Sequence, residues 1–479
     1  MTSQDDRLSA PEVRRRAKRG ILVVGLRSIG LRVIQVAGLL VLSRQLSPKD
    51  FGAVAIGLVF VGVIMATSQG GLGAMLIRRR EPPAEEELAG LLGFQLAVAS
   101  VLAIVVAGVA VGFGREGQVT ALMVVSLPIV VLRAPGVVVL ERRLEYRPIA
   151  YADIAETLTY YAWAIATVEV GWGVWGLASA VVPRAVAGSA AVIVGAPDAV
   201  HRPSLSRRVL RELLPFGLRL QVIDFVNLVR EQGLNLGIAA VAGLDVLGIW
   251  SLAYRIMQLP YVLFTTLWRV SFPAMSRLVG GGEDMRPVLE RAVALTAVAS
   301  GAVLVPLTAG APAGVPAILG DKWHDVADVI PWASLALMIG APVSVAVAGY
   351  LYALGDAGVP LRATVAHTVV WIAVALALII PVGVAGAALG WVAASIVDVV
   401  VLGRAASRAS GARFFPRLVL PTSIAVAVGA AGWAAGSAGD GLAWAVVAAV
   451  AAETVFLLGV AIGCRDVGRQ LVRALAEAT

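Results

Sequence analysis

The sequence predicts an all-α polytopic membrane protein with about fourteen transmembrane helices, and three observations support this fold class. Of the 479 residues, 59% are hydrophobic and only 15% are charged, whereas soluble domains are about 45–50% apolar and about 25% charged. Apolar runs of roughly 20 residues, enough to cross a hydrocarbon core about 30 Å thick, recur along the chain. The basic residues lie in short segments between these runs, so the net charge of +8 reflects membrane topology rather than nucleic-acid binding.

The apolar runs and the polar segments between them define the predicted spans in chain order. Each span should be helical, because a backbone exposed to lipid has to satisfy its own hydrogen bonds. The predicted spans are 20–43, 51–77, 88–113, 119–140, 149–169, 172–195, 214–242, 245–273, 289–310, 329–353, 361–381, 383–403, 418–437 and 441–463.

The distribution of basic residues predicts the orientation of the chain. With the N-terminus inside, 27 Lys and Arg residues fall in cytoplasmic segments or in the first three residues of a span that begins on that side, 4 fall in external segments and the other 8 lie deeper within spans. Cytoplasmic loops of membrane proteins carry such an excess of Lys and Arg. The basic tail 1–19 runs into an apolar stretch that is too long and too charged for a cleaved signal peptide. We therefore expect both termini in the cytoplasm.

A weak internal repeat predicts two six-helix lobes. LSPKDFGAVAIG after the first span resembles AGLDVLGIWSLA after the seventh, which aligns Gly52 with Gly248. GVWGLASA at Gly173 likewise resembles GVAGAALG at Gly383. Both pairs keep the same membrane orientation, which predicts a parallel pseudo-two-fold about an axis along the membrane normal. Close helix packing through small residues is the plain explanation of the glycines in the second pair.

The repeat divides the chain into five parts. The longest central loop is polar and basic and falls between the two copies, so we interpret it as the linker between the lobes. The predicted parts are a cytoplasmic tail 1–19, an N-lobe 20–195, a cytoplasmic linker 196–213, a C-lobe 214–403, and two further helices with a cytoplasmic C-terminus in 404–479.

Charged residues inside the first span are the leading candidates for function. A buried arginine costs about 2.5–3.5 kcal/mol on insertion scales, so it should face a polar interior. Arg32 lies near the middle of the span and shares a helix face with Gln35, three residues away. Arg27 points in another direction and lies close enough to the span's start to extend toward the cytoplasmic headgroups or to form a helix–helix ion pair.

The seventh span carries both signs of charge. Asp224 and Glu231 form one stripe, and Arg219 and Arg230, eleven residues apart, form a second stripe on another face. One interpretation is a salt-bridge lattice that holds the helix. The other is a cationic cavity wall whose carboxylates balance the charge or bind a coupling ion.

Further charged residues lie in the fourth, fifth, sixth and eighth spans. Arg255 lies near the middle of the eighth span and is favoured as a functional residue. Arg133 and Arg184 either form an outer layer around a cavity or pair with Asp153 or Glu156, and the sequence leaves both alternatives open. The two carboxylates are also candidates for coupling or charge balance.

The remaining chemistry-bearing residues predict no catalytic site, metal site or cofactor. Cys464 is the only cysteine, and the three histidines are scattered, which argues against a metal centre. No nucleophile accompanies the carboxylates of the fifth span. Trp323, in the external loop LGDKW, is expected at the level of the lipid headgroups as an anchor.

Several segments occur in a characteristic order along the chain: VLSRQLSPKDFGAVAI, LERRLEYRPIAYADI, WSLAYRIMQLPYVL followed by FPAMSRL, LGDKW, and GYLYALGDAGVPLR. Together they resemble the bacterial polysaccharide transporters, the O-antigen and exopolysaccharide flippases of the multidrug/oligosaccharidyl-lipid/polysaccharide exporter superfamily. The resemblance covers roughly residues 20–402.

This resemblance implies two six-helix lobes around a V-shaped cavity that opens alternately to either side of the plasma (inner) membrane. The implied substrate is a polyprenyl-pyrophosphate-linked oligosaccharide, and the implied partners are membrane lipids, a polysaccharide polymerase and glycosyltransferases, with no nucleic acid. By position, it implies that Arg32, Arg219, Arg230 and Arg255, and as a weaker candidate Arg27, contact the pyrophosphate. Guanidinium groups match phosphate geometry bidentately and stay charged in a membrane cavity.

Three alternatives compete with a flippase. A cation-coupled multidrug exporter of the same fold would prefer an acidic cavity, whereas the intramembrane arginines favour an anionic substrate. A membrane glycan polymerase or ligase would present a large external loop, and the predicted external loops are short. A structural membrane scaffold would leave the buried charges unexplained.

Overall fold

The computed structural model describes residues 30–79, 81–206, 211 and 222–464. Over these residues the secondary structure is helical, with short turns and loops between helices and no β-strand. Ten helical stretches in this part of the chain are long and apolar enough to span a membrane. Two of them, Glu85–Val131 and Phe225–Gly280, each cover two predicted spans. The first and fifth predicted spans correspond to helices at 30–45 and Tyr146–Thr167, which confirms the all-α polytopic fold class.

The chain divides into two compact units, Met1–Leu236 and Gly237–Thr479. The division falls inside the seventh predicted span, later than the predicted linker 196–213, so the described residues of that span up to Leu236 belong to the N-terminal unit. The helices of the N-terminal unit are α1 (30–45), α2 (Pro48–Gln69), α3 (Leu72–Arg78), α4 (Glu85–Ala110), α5 (Gly114–Val124), α6 (Leu127–Val131), α7 (Ala134–Arg142), α8 (Tyr146–Thr167), α9 (Val174–Ser179) and α10 (Val181–Gly195).

A long helical stretch, α11 (Val222–Gly280), begins in the N-terminal unit and continues into the C-terminal unit. Its 59 residues would extend about 88 Å as one rod, far more than a bilayer requires. The helix is broken at Gly243, whose φ of 86° and ψ of 178° are not helical. The break lies between the predicted seventh and eighth spans. The other helices of the C-terminal unit are α12 (Met285–Leu319), α13 (His324–Ala353), α14 (Gly358–Val382), α15 (Ala385–Ser410), α16 (Phe414–Gly436) and α17 (Gly441–Gly463).

The two repeated glycine motifs form the same kind of hairpin turn. Gly173 before α9 and Gly383 before α15 both have positive φ, 55° and 75°, which a glycine adopts without strain. In each turn the glycine three residues later, Gly176 or Gly386, donates its N–H to the carbonyl of the first, at 3.0 and 2.9 Å. The same Gly-x-x-Gly spacing occurs at Gly114 before α5, where φ is 71°. The Gly-x-x-Gly spacing therefore occurs at tight hairpins in both units and is not confined to the two repeated positions.

Small residues bring the helices of the C-terminal unit close together. A Cβ on Gly386 of α15 would lie 2.6–2.7 Å from the α14 backbone at Leu378 and Ile379. A Cβ on Gly301 of α12 would likewise overlap the ring of Phe456 of α17. Because lipid is as apolar as a side chain, such van der Waals contact contributes much of the association between membrane helices.

The prediction for Trp323 is wrong. The side chain is fully buried within the chain instead of lying at headgroup level. Gly320, with φ of 100°, ends α12 and turns the chain. The backbone N–H of Trp323 donates to the Gly320 carbonyl at 3.0 Å. The turn directs the ring back into the unit, where it gains packing contacts on all sides.

Candidate functional site

A buried carboxylate lies between two arginines in the N-terminal unit. Glu156 of α8 has 7% of its surface exposed. It accepts a short hydrogen bond from Arg133, which precedes α7, and a second from Arg184 of α10, with 3.2 Å between Arg184 Nε and Glu156 Oε2. The three residues come from three different helical segments, so this ion-pair cluster ties α7, α8 and α10 together. The structure thus contains the pairing of both arginines with Glu156, which was one of the alternatives left open by the sequence.

A glycine and a tyrosine complete the surroundings of this cluster. Gly188 of α10 faces Glu156, and a Cβ at Gly188 would overlap the carboxylate and its Cγ. The Arg184 guanidinium lies over the ring of Tyr160, 5.8 Å from its centroid, where a cation is attracted by the ring face. The cluster thus balances much of its own charge inside the unit.

Arg32 lies in α1 without such compensation. The side chain is half-buried, and it has no ion-pair or hydrogen-bond partner among the described residues. Gln35, one turn later on the same face, is exposed. An arginine with this setting in an apolar helix has its hydrogen-bonding capacity available for an anion.

Arg230 lies in the part of α11 that belongs to the N-terminal unit. Leu228 and Gln232 approach Gly62 of α2, so Arg230, two residues from each, points away from α2 at about 100° per residue. Its Nη2 is 3.9 Å from Oε1 of exposed Glu231, which is too long for a hydrogen bond. Its Nε is buried without a hydrogen-bond partner in the described part of the chain. Arg230 is therefore only loosely neutralised.

Arg255 lies in the C-terminal unit, on the second half of α11. It is half-buried, with buried Ala253 and Met257 on either side along the helix, and no described residue forms an ion pair or hydrogen bond with it. Pro260 follows five residues later and removes one backbone N–H from the helix ladder. Like Arg32, this arginine is not balanced by a carboxylate.

The remaining candidates divide into described and undescribed positions. Arg27 and Arg219 lie outside the described residues, and so does the side chain of Asp224. Asp153 is half-buried on α8, one turn before Glu156, and attracts Arg133 electrostatically. In the described part of the chain no group of three or more His, Cys, Asp or Glu side chains is arranged to hold a metal ion.

The C-terminal unit contains a largely apolar cavity of about 510 Å³. Residues of α12 to α16 line it, among them Asp328, Ser334, Trp332 and Trp433. The Ser334 hydroxyl and the Trp433 indole N–H are buried and have no hydrogen-bond partner among the described residues. Hydropathy alone gave no signal for this cavity, because the residues that line it come from five different helices.

One polar pair was not predicted from the sequence. His367 of α14 and Asp398 of α15 lie inside predicted spans, and His367 Nδ1 is 2.7 Å from Asp398 Oδ2. Thirty-one residues separate them, so no local spacing indicates the contact. The available signal was the presence of an ionisable residue deep inside each of two consecutive apolar spans.

The arginines therefore form two classes. Arg133 and Arg184 share a buried carboxylate, whereas Arg32 and Arg255 have no such partner in the described part of the chain and Arg230 has a distant one. Arg32 and Arg230 belong to the N-terminal unit and Arg255 to the C-terminal unit. Uncompensated guanidinium groups within membrane helices favour an anionic ligand with oxygen acceptors.

Comparison with known proteins identifies the family. The model of the polysaccharide biosynthesis protein family matches residues 41–328, more than half of the chain. The chain belongs to this family. The resemblance found in the quoted sequence segments is thereby confirmed.

Two curated relatives in polysaccharide biosynthesis are similar along much of their length. The chain is 26% identical over 345 residues to the succinoglycan biosynthesis transport protein ExoT of Rhizobium meliloti, covering 69% of this chain and 67% of the relative. It is 22% identical over 324 residues to the lipopolysaccharide biosynthesis protein WzxC of Escherichia coli, covering 65% of this chain and 64% of the relative. The chain therefore matches about two thirds of the length of each.

Two solved structures share the fold of this polysaccharide biosynthesis protein. The lipid II flippase MurJ in an inward closed conformation superposes with a TM-score of 0.69 at 14% identity, covering 93% of this chain and 99% of MurJ. An inward-facing multidrug resistance transporter of the MATE family and MOP superfamily superposes with a TM-score of 0.57 at 16% identity, covering 82% of this chain and 98% of that protein. At these identities the similarity establishes the fold.

Proposed function

We propose that the protein is a secondary transporter that moves polyprenyl-pyrophosphate-linked oligosaccharide units across the plasma membrane for synthesis of a cell-surface polysaccharide. Both curated relatives are named for polysaccharide biosynthesis, and one is named a transport protein. The observation that carries the proposal for this chain is that Arg32 and Arg255 have no ion-pair partner among the described residues and that Arg230 has only a distant one, although all three lie in apolar helices. A pyrophosphate offers several anionic oxygens that such guanidinium groups bind bidentately.

Arg230 and Glu231 provide a means of both binding and release. At 3.9 Å the carboxylate attracts the guanidinium but forms no hydrogen bond with it. A pyrophosphate that reaches Arg230 would satisfy its buried Nε and displace this weak partner. When the substrate leaves, Glu231 is close enough to balance the charge again, so the site is not left with an isolated cation. Arg27, Arg219 and Asp224 remain proposals from the sequence for the same site.

The proposed placement is the inner membrane, with both termini in the cytoplasm, as the excess of Lys and Arg on one side predicts. Transport by alternating access would move the charged headgroup past the apolar core while its lipid tail stays in the bilayer. No chemical step is assigned to the protein. A polymerase and glycosyltransferases of the same pathway are its proposed functional partners.

Deletion of the gene followed by lipid analysis tests the function. The proposed flippase predicts that polyprenyl-linked oligosaccharide accumulates on the cytoplasmic side and that surface polysaccharide disappears. A polymerase would instead leave single repeat units at the cell surface, and a multidrug exporter would leave the polysaccharide intact and change drug susceptibility. Restoration of the surface polysaccharide by a plasmid-borne copy of the full chain is the control.

A further inference from the structure

The buried pair His367–Asp398 is a polar link between two helices of the C-terminal unit. The side chains are 9% and 14% exposed, and His367 Nδ1 lies 2.7 Å from Asp398 Oδ2. His367 is the tenth residue of α14, about 14 Å from the start of that helix, and Asp398 lies about 18 Å from the end of α15. The pair is therefore deep inside both spans and beyond the reach of loop residues.

The net charge of this pair depends on one proton. With the carboxylate ionised, Nδ1–H of a neutral imidazole donates to Asp398, and the pair carries one negative charge. A proton that binds at Nε2 converts it to an imidazolium–carboxylate pair of zero net charge. A buried net charge is costly in apolar surroundings. Binding or release of this proton therefore changes the electrostatic energy of the buried pair strongly.

In the described part of the chain, no other ionic partner balances the pair. The only side-chain hydrogen bond or ion pair of His367 and Asp398 found there is the one between them. The nearest charged groups on the same helices are Arg362, five residues before His367, and Arg404, six residues after Asp398. The neighbouring helices carry further ionisable groups, among them Tyr350 of α13, and Tyr254 and Arg255 of α11.

Aromatic rings connect the pair to the helix of Arg255. Trp371, one turn after His367, meets the imidazole edge-on with 5.6 Å between centroids. Trp371 stacks on Trp391 at 4.9 Å, and Trp391 contacts the Tyr254 ring at 6.0 Å, next to Arg255 in the chain. The Trp371 indole N–H also donates to the Ala387 carbonyl at 3.0 Å, which fixes the ring between α14 and α15. A change in the charge of His367 thus acts on rings that pack against the Arg255 segment.

We propose that His367 and Asp398 form a proton-binding site, and that its proton is the ion coupled to the transport cycle. The proposal rests on the proposed transport function for its second part only. The proton neutralises the buried pair, and its release restores a negative charge that alters the packing of Trp371 and, through Trp391 and Tyr254, the setting of Arg255. The site binds a proton and no metal, because it offers one imidazole and one carboxylate that are already joined.

Histidine-selective NMR tests proton binding without any substrate. The chain has three histidines, so full-length protein labelled with ¹⁵N-histidine in nanodiscs gives three ring signal sets, and His367→Gln assigns the one of interest. The pH is varied between about 5 and about 8, and the expected result is that the His367 ring nitrogens change their protonation state and that Asp398→Asn alters this change. A His367 signal that stays constant over this range, as for a purely structural hydrogen bond, overturns the proposal.

Surface-polysaccharide export tests the coupling. His324→Gln is the matched control, because His324 forms an exposed pair with Asp325 in the same unit, with 2.8 Å between Nε2 and Oδ1. His367→Gln and Asp398→Asn, at wild-type abundance in the membrane, should each reduce export at least tenfold, whereas His324→Gln should leave it unchanged. Wild-type export in both buried-pair variants overturns the coupling. If the deletion strain accumulates no lipid-linked oligosaccharide, the transport function fails, while the NMR titration still decides whether the pair binds a proton.

Discussion

Gly188 of α10 leaves the space that the carboxylate of Glu156 occupies on α8. A Cβ at this position would overlap the carboxylate, so the absence of a side chain at Gly188 allows Glu156 to reach both Arg133 and Arg184. Of the two arginines, Arg133 is the more buried, with 25% of its side chain exposed against 49% for Arg184. The ion pairs of Glu156 with Arg133 and Arg184 therefore depend on the absence of a side chain at Gly188.

We expect Glu156→Ala to destabilise the N-terminal unit by about 3 kcal/mol. This value is in the lower part of the range for breaking a buried ion pair, because the half-exposed Arg184 side chain can be hydrated after the change. Arg133 would lose its hydrogen-bonded carboxylate and keep only the electrostatic attraction of Asp153. The double variant Arg133→Ala/Glu156→Ala should be less destabilised than the sum of the single variants. Thermal unfolding of the purified protein in detergent, arranged as a double-mutant cycle, measures this coupling. Strict additivity of the two substitutions would show that Arg133 and Glu156 are not energetically coupled.

We expect Gly386→Ala to destabilise the C-terminal unit by about 1–3 kcal/mol, the usual cost of overpacking. The new Cβ would lie 2.6–2.7 Å from backbone atoms of Leu378 and Ile379, which cannot rotate away as a side chain can. The thermal unfolding midpoint is the measurement. Gly108→Ala is the control, since a Cβ there meets no atom within 4 Å and alanine is the better helix former. Equal midpoints for both variants would show that α14 and α15 do not depend on this close approach.

Hydropathy was sufficient to predict the helices, but it was not sufficient to predict their partners. Each of the fourteen predicted spans coincides at least in part with a described helix, because the bilayer requirement acts on local composition. The choice between Arg133 as a cavity residue and Arg133 as a partner of Glu156 depends on a contact across 23 residues of sequence. The same limit hid the pair His367–Asp398. Trp323 was misassigned because a single glycine turn, not its polarity, decides where the ring points.

A surface ion pair next to α10 predicts a pH effect. Arg143 donates a hydrogen bond to Asp198, and this holds the pKa of the Asp198 carboxyl below its ordinary value. Because folding favours the ionised carboxylate, the contribution of the pair is fully present above the pKa of the unfolded carboxyl. It is lost as the pH falls through the lower pKa of the folded state.

Asp198→Asn should therefore lower the free energy of unfolding by less than about 1 kcal/mol at neutral pH, since the side chains of Arg143 and Asp198 are both partly exposed. The variant should not differ from the wild type at a pH where the Asp198 carboxyl is protonated in both the folded and the unfolded state. Thermal unfolding of the two proteins at neutral and acidic pH checks the difference. Asp440→Asn, at an exposed helix start without a side-chain capping bond, is the control for loss of a negative charge. A destabilisation by Asp198→Asn that persists unchanged at acidic pH would contradict the ion-pair explanation.

Substitution of Arg32, Arg230 and Arg255, which have no close carboxylate partner among the described residues, is the sharpest prediction for substrate binding. Arg32→Ala, Arg230→Ala and Arg255→Ala should each reduce surface-polysaccharide export tenfold or more, because a hydrogen bond to a charged group contributes about 1.5–3 kcal/mol. Lysine at the same positions should restore part of the export, since it keeps the charge but loses the bidentate fork. Export in a deletion strain, normalised to the amount of protein in the membrane, is the measurement. Arg404→Ala, an exposed arginine near the end of α15, should have no effect. If the Arg404 variant is impaired as strongly as the others, general loss of positive charge explains the result, and if none of the three alanine variants is impaired, these arginines do not bind the substrate.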